Sequence, residues 1–175
     1  PADKPCLVEK AFMANLCEAK EIVALARQRD VFLAEAVWTR YQPIVATVRS
    51  LISSGRIGNP RLVTATLGYS MGNKPRIMLP ELCGGALLDL GVYALNFVRM
   101  FFPQPILSID CNCVKSDTGM DITNAITLIL DDVAGDKLLC NLQSSAACVG
   151  DNIGVIAGTE GNMIIDNINN PQTVT

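Results

Sequence analysis

The sequence predicts an α/β beginning, the end of a doubly wound parallel sheet, followed by an α+β domain with an open, mostly antiparallel sheet and packed helices. Three observations predict it. Strand, helix and strand succeed one another within the first 36 residues, the order of a βαβ unit. Beyond Pro105, short strands follow one another across tight turns, the grammar of an antiparallel sheet. Of the 175 residues, 50% are apolar and 18% charged, which suits a packed core and not a disordered tail.

The elements follow in order. Cys6-Leu7-Val8 is a short apolar run leading straight into Glu9-Lys10. Residues 16–29 carry apolar side chains at helical spacing (Leu16, Ala19, Ile22, Val23, Ala26), with Asn15 as N-cap and Glu18 placed for a capping box. Residues 31–34 are too short and apolar for anything but a buried strand. A second helix spans 43–53 and stops at Gly55; Gly58-Asn59-Pro60 is a turn. Residues 61–70 form a strand and 71–81 a loop, and Gly84-Gly85 opens a helix reaching to about residue 102. Strands are then expected at 106–114, 122–130, 137–147, 154–157 and 163–165. Residues 131–136 form a hairpin connection and Gly158-Thr159-Glu160-Gly161 a tighter turn.

A lone βαβ cannot cover both faces of its sheet, so the first 36 residues read as the last two strands of a larger sheet, and the chain as a fragment. Fourteen Lys/Arg against 17 Asp/Glu, with no basic stripe, argue against a nucleic-acid partner. No apolar run attains the roughly 18 residues of a membrane span; the longest candidate, 87–102, is interrupted by Asp89, Asn96 and Arg99. There is no histidine, which removes Ser-His and Cys-His catalysis and every histidine-containing metal site. The seven cysteines include no Cys-x-x-Cys pair and each is explained as a small buried hydrophobe, so no metal or disulfide framework is expected. With no Asn-x-Ser/Thr sequon and no signal peptide, a reduced, cytoplasmic setting is expected.

Three segments have the residue types for chemistry. Glu9-Lys10 ends a parallel strand, the edge at which open α/β sheets bind ligands, although a solvated ion pair explains it as well. Asp89 and Tyr93, four apart in an apolar helix, share a face with Gly85 and Asn96. They read either as an acid–base pair or as a buried hydrogen bond that anchors the helix. Trp38 and Arg40 follow the second strand; they suit a planar charged ligand, and a lone tryptophan equally suits a core.

Glu9-Lys10, the run from Phe32 to Pro43 and the run from Gly84 to Tyr93, in this order, resemble the glucose–fructose oxidoreductase/inositol dehydrogenase (Gfo/Idh/MocA) family, closest to its dihydrodiol dehydrogenase and NADP-dependent D-xylose dehydrogenase branch. The resemblance implies that residues 1–37 are the C-terminal remnant of a Rossmann dinucleotide-binding domain. Residues 38–175 would then be a catalytic and oligomerisation domain, incomplete at its C-terminal end. It implies a hydride passed between NADP (or NAD) and a diol or sugar, with a homodimer built through the antiparallel sheet. It assigns catalysis to Lys10, Asp89 and Tyr93, and cofactor binding to Glu9, Lys10, Trp38 and Arg40. Three departures stand out. Ala11 replaces the proline of Glu-Lys-Pro, and Asn96 stands where many relatives have aspartate. No Gly-x-Gly-x-x-Gly occurs, so the pyrophosphate cradle is absent and the chain alone is expected to be inactive. The competing expectation is a non-catalytic, diverged interaction module.

Overall fold

The computed structural model describes residues 3–131 and 136–175 and divides into two compact units, Pro1–Trp38 and Thr39–Thr175. In the first, strand β1 (Cys6–Glu9) and strand β2 (Leu33–Ala36) pair in parallel, joined through helix α1 (Leu16–Gln28). Asn15 caps α1: its side-chain oxygen accepts from the Glu18 N–H at 3.0 Å. The Glu18 carboxylate meets the Asn15 side-chain amide at 2.9 Å, so the reciprocal bond of a capping box runs between side chains.

The second strand lies two residues later than its apolar run suggests. Asp30 takes a left-handed φ of 50°, while Val31 N–H donates to Ala26 O at 2.9 Å and Asp30 N–H to Arg27 O at 3.2 Å. That is a Schellman ending, and it consumes the residues before Phe32 as a helix stop.

In the second unit a 3₁₀ turn (Trp38–Tyr41), begun at the end of the first, leads into helix α2 (Pro43–Ser53), whose proline sits in the first turn, where its missing N–H costs nothing. Strand β3 (Pro60–Gly68) is followed by a segment expected as loop. It contains a short helix α3 (Pro75–Met78) and a 3₁₀ turn (Pro80–Leu82). A π-helical turn (Leu87–Gly91) runs directly into helix α4 (Val92–Phe101). Strands β4 (Ile106–Lys115), β5 (Asp121–Asp131), β6 (Lys137–Ser145), β7 (Gly154–Gly158) and β8 (Asn162–Ile165) complete the unit. The 131–136 connection lies partly outside the described residues, but the strands it joins pair antiparallel, with Asp131 opposite Lys137.

Among the described residues these strands form a six-stranded sheet in the order β4-β5-β6-β3-β7-β8. It is antiparallel except where β3 inserts between β6 and β7 and runs parallel to β6. The strand alternation sorts the two faces. Val63, Ala65, Leu67, Leu128, Leu130, Leu142, Ile156 and Ile165 are buried on the face covered by α4 and the π turn. Leu62, Leu139 and Ile164 are exposed on the other. Phe97 anchors the cover: it is buried, its ring lies where a side chain at Gly154 would stand, and Phe101 meets it edge-on at 5.3 Å. Each such buried side chain contributes about 1.5–3 kcal/mol.

Two expectations need correction. Six cysteines are exposed and only Cys140 is buried, so the reading of every thiol as a small core hydrophobe fails. The reason is visible at Cys111 and Cys113. They lie on β4, an edge strand exposed along nearly its whole length. The helical stretch Pro80–Phe101 is also long and apolar enough to cross a membrane by length and composition, which the sequence reading denied. Half of its apolar window is buried within the fold, as befits a core helix packed on a sheet.

Candidate active site

In the first unit the parallel register sets Glu9 opposite Ala36, so the chain leaves both strands at the same edge. Lys10 follows immediately and is partly buried, whereas Glu9 is exposed. The Lys10–Ala11 peptide is cis. Two residues on, Phe12 N–H donates to the Glu35 carboxylate at 2.9 Å, which ties the loop carrying Lys10 to β2. Trp38 is 43% exposed, so it is not the core residue that a lone tryptophan suggests.

In the second unit the helix of interest is preceded by two glycines for reasons of space. A side chain on Gly84 would overlap the Ile77 carbonyl, and one on Gly85, whose φ is +108°, would overlap the Asp121 carboxylate. From there Val92 N–H reaches back five residues to Leu87 O, closing the π turn. Inserted π turns widen the helix locally, and the expected single stripe of Gly85, Asp89, Tyr93 and Asn96 does not form. Gly85 lies outside the helix, and Asp89 and Asn96 engage different partners.

Asp89 pairs with Arg76 from α3, Oδ2 to Nη1 at 2.8 Å. Asn96 Oδ1 accepts from both Nε and Nη2 of Arg40, at 3.1 and 2.9 Å, and its own Nδ2 donates to Val92 O at 2.9 Å. Tyr93 is partly buried, its ring resting against the core. The C-terminal end of the helix is held by cations: Arg99 donates to the carbonyls of Phe102, Pro103 and Gln104, and Arg49 donates twice to Met100 O. Positive groups there complement the helix dipole.

The helix thus carries Asp89 and Tyr93 one turn apart, with a cation set against Asp89. Arg40, Asp89 and Tyr93 belong to this unit, and Glu9, Lys10 and Trp38 to the first. Sequence reasoning missed Arg76, which lies in a segment between prolines that has no periodicity. It also missed Asp121, whose only signal is its place just after the Gly119-Met120 turn. Among the described residues no cluster of Cys, Asp and Glu is arranged to hold a metal ion.

The model of the GFO/IDH/MocA C-terminal domain matches residues 45–164. Two curated relatives are trans-1,2-dihydrobenzene-1,2-diol dehydrogenases, from Danio rerio (38% identical over 162 residues) and Sus scrofa (35% over 164). Each match covers 91% of this chain and 47% of the relative, so the chain spans about half the length of the curated relatives it matches. Among solved structures, an aldose-aldose oxidoreductase from Caulobacter crescentus complexed with glycerol superposes with a TM-score of 0.86 at 21% identity, over 99% of this chain and 52% of its own. GenD2 from gentamicin A biosynthesis, in complex with NAD, gives 0.78 at 24%, over 94% and 48%. These two likenesses concern the fold; the domain match, over more than half of the chain, settles the kinship. The chain belongs to the Gfo/Idh/MocA family.

Proposed function

We propose that this chain supplies the catalytic side of a nicotinamide-dependent oxidoreductase acting on a CH–OH or CH–CH group of a diol or a sugar. The observation that carries the reading is the helix just described, in which a partly buried Tyr93 follows a π turn bearing the ion-paired Asp89. Irregular π turns recur at functional sites because they re-aim side chains. The name of the diol dehydrogenase relatives supports the diol class, and that of the aldose-aldose oxidoreductase supports a sugar.

In this reading the Tyr93 phenol holds or accepts the proton of the substrate oxygen. Lys10 is assigned the ammonium that lowers the cost of negative charge on the substrate oxygen. Asp89, fixed by Arg76, orients the phenol and balances the local charge. Glu9, Lys10 and Trp38 of the first unit and Arg40 of the second are assigned to cofactor binding. NADP (or NAD), when bound, supplies or takes up the hydride. The residues present fit only that end of it: a half-buried lysine at a parallel-strand edge is here, and a glycine-rich phosphate cradle is not. We assign NADP over NAD, with D-xylose and aromatic diols as the first substrates to try. We also assign a cytoplasmic setting and a homodimer through the open sheet face, where Leu62, Leu139 and Ile164 are exposed.

The test joins this chain to a complete dinucleotide-binding half and measures NADP reduction with vicinal diols and aldoses. Turnover is expected, and Lys10→Met is expected to lose it at least about a hundredfold. Absence of turnover with every diol and aldose contradicts the reading. The 175 residues alone are expected to turn nothing over, and measurable reduction by them would show that the missing cradle is dispensable.

A further inference from the structure

The π turn is keyed to the sheet from two strands. Asp121, at the start of β5, accepts the Leu87 N–H on its Oδ2 at 2.7 Å. The same oxygen accepts from Asn124 Nδ2 at 2.7 Å. Asn124 is itself buried and bonds Ser144 Oγ of β6 at 3.3 Å. Gly91, the last residue of the π turn, lies against that same serine: a side chain there would stand 3.0 Å from Ser144 Oγ. The cap therefore comes from a distant strand, and the residues next to the helix start provide none of their own. Gly85 is the concession, since only a residue without a side chain leaves room for the Asp121 carboxylate.

We propose that Asp121 is a positioning residue for the oxidoreductase site, setting the axial place and rotation of the turn that bears Asp89 and, through it, of Tyr93. The inference rests on the reading of this helix as catalytic. Its physical basis is the set of unpaired N–H groups at a helix start, which attract a carboxylate through both hydrogen bonding and the helix dipole. At most helices a cap adds stability. Here the capped residue precedes Asp89 by two positions and the turn is widened, so slack at Leu87 passes directly into the aim of Asp89 and Tyr93. Asn124 and Ser144 hold the carboxylate in turn, which makes the network Ser144–Asn124–Asp121–Leu87 a fixed reference between sheet and helix.

The experiment is steady-state kinetics of the enzyme formed when this chain follows a complete dinucleotide-binding half. Asp121→Ala is expected to lower kcat about tenfold or more while KM for substrate and cofactor stays within about threefold. Asp121→Asn, whose amide oxygen still accepts the Leu87 N–H, is expected to restore kcat to within about threefold of the parent. Amide exchange at Leu87 is expected to quicken in the alanine variant and not in the asparagine one. Parental kcat in Asp121→Ala, or an asparagine variant no better than alanine, overturns the proposal. If Asp121→Ala does not fold, Asn124→Ala takes its place: about a threefold loss in kcat supports the role, and none overturns it. Tyr93→Phe serves as the control. If it retains full turnover, the catalytic reading of the helix is what has failed, and this inference falls with it; if it loses turnover, the Asp121 result stands by itself.

Discussion

Arg40 donates Nε and Nη2 to one acceptor, the side-chain oxygen of Asn96, at 3.1 and 2.9 Å. The amide is held in that orientation because its Nδ2 donates to Val92 O. A neutral oxygen thus holds a guanidinium 56 residues away in sequence, where a carboxylate would make a charged pair. Asn96→Leu leaves a partly buried guanidinium without this acceptor and is expected to cost about 2 kcal/mol in urea unfolding. Asn96→Asp keeps an acceptor for Arg40 but loses the donor to Val92 O, and is expected to recover only part of the leucine variant's loss. An unaffected leucine variant would show that the fork contributes nothing to stability.

Arg76 and Asp89 form a partly exposed ion pair, with side-chain accessibilities of 55% and 24%. Its worth to stability is at most about 1 kcal/mol because solvent screens the arginine. Under the proposed function its worth is larger, since it holds the carboxylate of the π turn that runs into the helix bearing Tyr93. Arg76→Met is therefore expected to change the unfolding midpoint little and to lower kcat of the joined enzyme about tenfold. Equal kcat in the two proteins would release Asp89 from any dependence on Arg76.

Much of this architecture was readable from local signals. Asn15 caps α1 and Pro43 opens α2 where their residue types dictate, and Gly55, at φ +73°, follows the end of α2. Hairpin-linked strands were found because neighbours in sequence pair with each other. The insertion of β3 between β6 and β7 was not legible, since it depends on partners some 75 to 100 residues away. Nor was the π turn: it arises where Gly85 accommodates a carboxylate from β5 and Gly91 closes on Ser144, contacts with no imprint on periodicity. Exposed cysteines were misjudged because composition reports hydrophobicity and says nothing of a strand's place at a sheet edge. Tyr93, Asp89 and Lys10 stand out through resemblance alone, whereas Arg76 and Asp121 become apparent only through their hydrogen-bond partners.

Cys140 differs from the other six thiols. Burial disfavours its thiolate and pushes its pKa from 9.0 up to about 12. In the unfolded chain the thiol ionises near its ordinary value, so between pH 9 and about 12 the unfolded state binds fewer protons than the folded state. Stability contributed by the neutral buried thiol is therefore present below pH 9 and lost as pH rises through that window. Cys140→Ala is expected to flatten the loss. At pH 8 a thiol reagent is expected to label six cysteines in the native protein and the seventh only after denaturation. Native labelling of Cys140 would contradict its burial.

The open sheet face offers the proposed dimer contact. Leu62 and Leu139 are paired across β3 and β6 and are 37% and 39% exposed, on the side away from the helices. Leu62→Lys with Leu139→Lys introduces two charges per copy at neighbouring positions without touching the buried face. Light scattering is expected to show a dimer for the parent and a monomer for the double variant. A monomeric parent, or a variant that remains dimeric, would move the interface elsewhere or remove it.

The most direct measurement is the turnover of Tyr93→Phe in the enzyme that joins this chain to a complete dinucleotide-binding half, set beside its affinity for NADPH. The substitution deletes one hydroxyl from a ring that otherwise keeps its place against the core. The account predicts kcat lower by about a hundredfold or more, within the range that positioned acid–base groups provide, with NADPH affinity unchanged. Parental turnover in the phenylalanine variant would contradict it.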